Sequence, residues 1–113
     1  MSMDLAVWVQ EEVQLPAALP DPASWTGTES EWAFEDEGWH VLVQPADDLP
    51  DEEITTHLPD AKRVFYITLE PIGAPLEAYE FLEKTVRVLA TQGHGVWVDA
   101  DGEVFEPNEG SFM

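Results

Sequence analysis

The groups in this chain that could do chemistry are three histidines, 24 carboxylates and the hydroxyls of Ser2, Ser24, Ser30 and Ser111, because there is no cysteine. A thiolate zinc site, a cysteine nucleophile and a disulfide framework are thereby removed together. Glu53 and His57 stand four residues apart, a spacing that would aim two metal ligands from one helix face, but no second histidine lies within ligand spacing. A surface helix pair explains them. Asp99-Ala100-Asp101-Gly102 resembles part of a calcium loop, yet the third oxygen residue before the glycine and the closing glutamate are not at the spacing that loop requires, so a hairpin turn is expected. His94, between Gly93 and Gly95, reads as a helix cap, and His40 beside Trp39 as an ordinary strand residue. No serine has a G-x-S-x-G setting and no phosphate loop is present. Carboxylate pairs are so abundant that spacing singles out none as acid and base. The expectation is a protein that is not an enzyme and holds no metal or cofactor.

The carboxylates are better read as a field and a surface. With 24 Asp+Glu against 4 Lys+Arg the net charge is −20. Spread over a sphere of about 16 Å radius and screened over about 8 Å at physiological salt, this gives a potential on the order of −3 kT per unit charge. Nucleic acid, anionic membrane and acidic substrates are repelled, whereas a basic partner is steered in. The acidic residues also cluster. One group is Glu29, Glu31, Glu35, Asp36 and Glu37, a second is Asp47, Asp48, Asp51, Glu52 and Glu53, and five more fall between Asp99 and Glu109. The first two flank the segment Trp39 to Gln44, so a hairpin would bring them to neighbouring edges of one surface. Trp32 and Trp39 lie beside them, and aromatics ringed by charge are common interface anchors. Trp32, Glu35, Asp36, Glu37, Trp39, Asp47, Asp48, Asp51, Glu52 and Glu53 are therefore the expected partner-binding residues. The competing reading puts the tryptophans in the core, although five in 113 residues is more than one small core easily hides.

The elements that must position these groups follow from periodicity. At 113 residues a single domain is expected, over residues 1–106, with the polar segment Pro107 to Met113 fraying as a tail. Leu5 to Val13 alternates as a strand, and Asp21-Pro22 looks like the entry to a short helix through Trp25 to Ser30. Glu31 to Glu35 and Trp39 to Gln44 form a hairpin around Asp36-Glu37-Gly38. A short helix lies between Asp47 and Pro59. Arg63 to Glu70 is apolar on both faces, so it belongs in the interior of a sheet. Gly73-Ala74-Pro75 opens a long helix to about Gln92, with Leu76, Tyr79, Leu82, Val86 and Leu89 as its apolar stripe and Gly93 as its cap. Gly95 to Val98 and Glu103 to Phe105 close the chain as a second hairpin. The fold class is α+β: a single domain with a mostly antiparallel or mixed sheet and one long helix packed on one face. The N-terminus has no secretory pattern and no stretch approaches the ~20 apolar residues of a membrane span, so a cytoplasmic protein is expected.

The second half, VFYITLEPIGAPLEAYEFLEKTVRVLATQGHGVWVDADGEVF from Val64 to Phe105, resembles bacterial immunity proteins of contact-delivered polymorphic toxin systems, of the type VI secretion or Rhs-like kind. Some of these pair a half built as strand, E-P, long helix, G-x-G-V and D-x-D-G with a variable first half. The resemblance implies a protein with no activity of its own that occludes the active site of a cognate toxin, with specificity in the first half. The expected partner is thus a basic cytoplasm-acting toxin, such as a nuclease or nucleotide-modifying enzyme. Two other readings stay open: a nucleic-acid mimic whose carboxylates stand in for phosphates on a DNA-binding enzyme, and a salt-adapted acidic housekeeping domain whose charge serves hydration.

Overall fold

Alternation of apolar residues decides most of the architecture of this computed structural model, which describes residues 2–112. In β1 (Met3–Val9) Leu5, Val7 and Val9 are buried on one face. Strands β3 (Glu31–Asp36) and β4 (Trp39–Ala46) form the expected hairpin, and β5 (Arg63–Glu70) takes both its neighbours in antiparallel register, Val41 opposite Leu69 and Val7 opposite Phe65. Its interior position is as expected, but its two faces differ: Phe65, Ile67 and Leu69 on one are essentially inaccessible, whereas on the other only Val64 is, and Tyr66 is 37% exposed. With β2 (Thr26–Thr28), β6 (Val96–Val98) and β7 (Val104–Phe105), the described residues make one seven-stranded sheet in the order β2-β3-β4-β5-β1-β6-β7, antiparallel throughout. The fold is α+β.

Helix α2 (Leu76–Gln92) lies across one face of that sheet and buries Ala78, Leu82, Val86, Leu89 and Ala90 completely. Its stripe begins one turn later than the spacing predicts, because Leu76 is 57% exposed. At its C-terminus Gly93 donates to the Leu89 carbonyl at 3.0 Å and its own carbonyl accepts from Gln10 and Glu11 at 3.1 Å each. A side chain there would collide with Val9, so the glycine serves close approach, while the left-handed position falls to His94 at φ 50°. Helix α1 (Glu52–His57) is short and covers part of the other face with Ile54 and Leu58, which pack on Trp8, Val64 and Val96.

Three expectations are corrected. Strand β1 stops at Val9, where the chain turns away to bond Gly93. The helix expected over Trp25 to Ser30 is a single 3-10 turn at Pro22–Ser24 followed by β2, since Thr26 and Thr28 are β-branched and Gly27 lets the strand approach the Glu31 carbonyl of β3. Residues 107–112 are not frayed, and Met113 lies outside the described residues. Arg87 donates to the carbonyls of Pro107, Glu109 and Gly110 at 2.8, 2.9 and 3.0 Å, and Phe112 is buried in a stack 4.4 Å from Trp97. The radius of gyration is 13.1 Å, against about 13 Å expected of one compact domain this long.

A candidate protein-docking face

Side-chain parity sorts every strand residue onto one of two sheet faces. The α2 face carries Trp32 and Phe34 of β3, Trp39, Val41 and Val43 of β4, and Phe65, Ile67 and Leu69 of β5. Trp39 is 5% exposed and sits among Phe34 at 5.7 Å and Phe81 at 5.9 Å, with Trp25 closing the aromatic cluster. It is a core residue and presents no surface to a partner. Its indole N–H has no hydrogen-bond acceptor among the described residues. Trp32 lies on the same side but half-buried, where it lines a cleft of about 260 Å³ with Glu12, Glu29, Pro45 and Arg63. Neither tryptophan therefore stands on the face that carries the carboxylates described next.

The opposite face is covered by α1 only at one end. Beyond the row Ala46, Val64, Trp8 and Val96, which lies beneath Ile54 and Leu58, three further rows lie outside that cover, except that Ala6 and its neighbour Val98 at the end of the first pack against the same cluster. The first holds Gln44, Tyr66 and Ala6, the second Ala33, Leu42, Thr68 and Asp4, and the third Glu35, His40 and Glu70. Leu42 is half-buried and belongs to neither core. The polar members are tied into a lattice: Gln44 donates to Glu31 at 3.1 Å, Thr68 to Asp4 at 2.9 Å, and His40 Nε2 lies 3.7 Å from Glu70.

The acidic clusters meet this face at its two ends. Glu35 stands opposite His40 at the hairpin end, with Asp36 and Glu37 at the tip, where Asp36 accepts from the Glu37 amide at 2.7 Å. The second cluster occupies the approach to α1. Asp51 caps that helix by accepting from the Ile54 amide at 3.0 Å, Glu52 and Glu53 are exposed in its first turn, and Asp47 lies 3.7 Å from Arg63. Asp48 reaches inward to accept the Tyr66 hydroxyl. That bond is the first cause, ahead of burial and the Asp48 charge, that raises the Tyr66 phenol above its ordinary value of 10.0. Leu49, beside it, is 92% exposed.

Asp4, Leu42, Leu49, Tyr66 and Glu70 were not among the residues expected to bind. Strand parity was readable for Leu42, Tyr66 and Glu70, but which strands lie side by side was not; Asp4 falls outside the expected strand, and Leu49 lies between β4 and α1 where no strand period applies. None of the four basic residues is on the bare face: Lys62 and Arg63 precede or open β5, with Arg63 on the α2 side, and Lys84 and Arg87 are on α2. Asp99 accepts from the Asp101 and Glu103 amides at 2.9 Å each, as a turn residue does. Among the described residues no three His, Asp or Glu side chains are placed to hold a metal ion, and no helix is long and apolar enough to cross a membrane. No family model, curated protein or solved structure matches this chain.

Proposed function

We propose that this chain is an inhibitor that works by binding: an immunity protein that occludes the active site of a basic toxin in the cytoplasm of the cell that makes both. The observation that supports this most directly is the bare sheet face, rimmed at both ends by carboxylates and free of Lys and Arg, on a chain of net charge −20. Such a surface steers a basic protein in and holds it.

The test begins by capturing the partner on tagged chain in its own cells. The captured basic protein should arrest growth when expressed alone in a second host, and co-expression of this chain should restore growth. A captured protein that is harmless alone, or whose toxicity this chain leaves unchanged, overturns the proposal. Displacement of the chain from several unrelated DNA-binding enzymes by duplex DNA would instead identify a nucleic-acid mimic.

A further inference from the structure

The two faces of the sheet are unequally covered. On one side the 17-residue α2, with Leu19, Trp25 and Phe112 packed beside it, covers most of the layer; on the other the six-residue α1 and Leu58 cover one row and the Ala6–Val98 end of the next. Strands lie about 4.8 Å apart and same-face residues about 6.8 Å apart along a strand, so three bare rows across β3, β4, β5 and β1 make a patch of roughly 20 by 20 Å. A helix is about 10 to 12 Å across, and three to four of its turns span about 20 Å. The bare patch is thus as long as a helix of three to four turns and wide enough to seat one with room to spare. Its centre is apolar or weakly polar, with Ala6, Ala33, Leu42, Thr68 and the Tyr66 ring, and around it stand Asp4, Glu31, Glu35, Asp48 and Glu70.

We infer that this face receives a basic amphipathic helix of the partner protein, its apolar stripe on Leu42 and Tyr66 and its Lys or Arg side chains on the surrounding carboxylates. The inference rests on the proposed binding role and adds the shape of what is bound. Charge selects this occupant over a second copy of the chain, because two molecules of net charge −20 would bring like carboxylates together. Area also says that the helix is only part of the contact: roughly 400 Å² of sheet is half of the ~800 Å² that each partner gives to a standard interface. The exposed Leu49, beside the Asp48 that accepts the Tyr66 hydroxyl, adjoins the patch and supplies further contact area.

The probe is a helix-forming peptide of about 18 residues with leucine on one face and lysine and arginine on the other, compared with polylysine of equal charge. Amide shifts of the isotope-labelled full chain are followed as each is added. The expected result is a saturable set of shifts from the amphipathic peptide centred on Ala33, Leu42, Tyr66 and Thr68, whereas polylysine gives weak shifts spread over all three acidic clusters. Leu42→Glu should weaken the peptide at least tenfold, and Glu35→Gln with Glu70→Gln, both away from the core, should weaken it severalfold with the melting temperature unchanged. Shifts centred elsewhere, or indistinguishable between the two probes, overturn the helix inference and leave the toxin-neutralisation test untouched. Growth rescue without any response on this face would do the same, whereas loss of rescue in a chain that still binds the peptide here would count against the function alone.

Discussion

Tyr66 and Arg87 are the two residues whose surroundings yield the sharpest expectations. The Tyr66 phenol is raised by its bond to Asp48, by burial and by the Asp48 charge. An acid whose folded value lies above its unfolded one contributes stability that is fully present below the unfolded value, near 10, and is lost as pH rises through the folded one. Raising the pH from about 9 to about 11 should therefore lower the melting temperature of the native chain more than that of Tyr66→Phe, which has no phenol to ionise. Equal losses in the two proteins would show that Asp48 does not hold the hydroxyl. Arg87 reaches Glu83 at 3.0 Å and three tail carbonyls besides. Hydrogen bonds to a charged group are worth about 1.5 to 3 kcal/mol, so Arg87→Ala should cost at least about 2 kcal/mol and make Trp97 fluorescence accessible to a quencher as the tail lifts. Its pairing with Glu83 is legible from a four-residue spacing. The tail contacts are not, since they close a loop of about twenty residues that no local pattern encodes.

At the scale of elements, legibility follows how strongly each segment's own pattern agrees with its place in the fold. Strand β5 and helix α2 match their expected bounds closely because apolar faces and breakers agree: Arg63 to Glu70 ends at Pro71, and Leu76 to Gln92 lies between Pro75 and Gly93. Strand β2 was missed because Thr-Gly-Thr is too short to show a period, and pairing with β3 settles it. The helix Leu82 makes part of is the main lid of the core. Leu82→Ala at a fully buried position should cost ~2 to 5 kcal/mol in thermal or denaturant unfolding. Leu76→Ala should cost under about 1 kcal/mol, since its exposed side chain leaves no cavity. Comparable losses at both positions would mean that α2 is rotated on the sheet. The candidate face was half legible for the same reason: Glu35 and Asp48 could be read from clustering, whereas Asp4, Leu42 and Glu70 join them only once β1, β4 and β5 are side by side.

Charge acts at the scale of the whole molecule. Uncompensated repulsion among −20 charges would favour unfolding in dilute buffer if the fold depended on salt for its stability. A core that includes Trp97, Phe65, Ile67, Leu82 and Leu89 at under 2% exposure argues otherwise. Cooperative melting in about 20 mM salt is expected, and a fold that forms only near 2 M would favour the salt-adapted reading. What remains is the direction of the field and the face that focuses it. The most direct measurement is the rate of association with the captured basic partner at about 50 mM salt, for the native chain and for Glu31→Gln, Glu35→Gln and Glu70→Gln combined. Neutralising the bare face should slow association about tenfold and flatten its salt dependence. A control triple at Asp101, Glu103 and Glu77, which removes equal charge away from that face, should slow it far less. Equal slowing by the two triples, or none by the first, would contradict a partner guided to this surface.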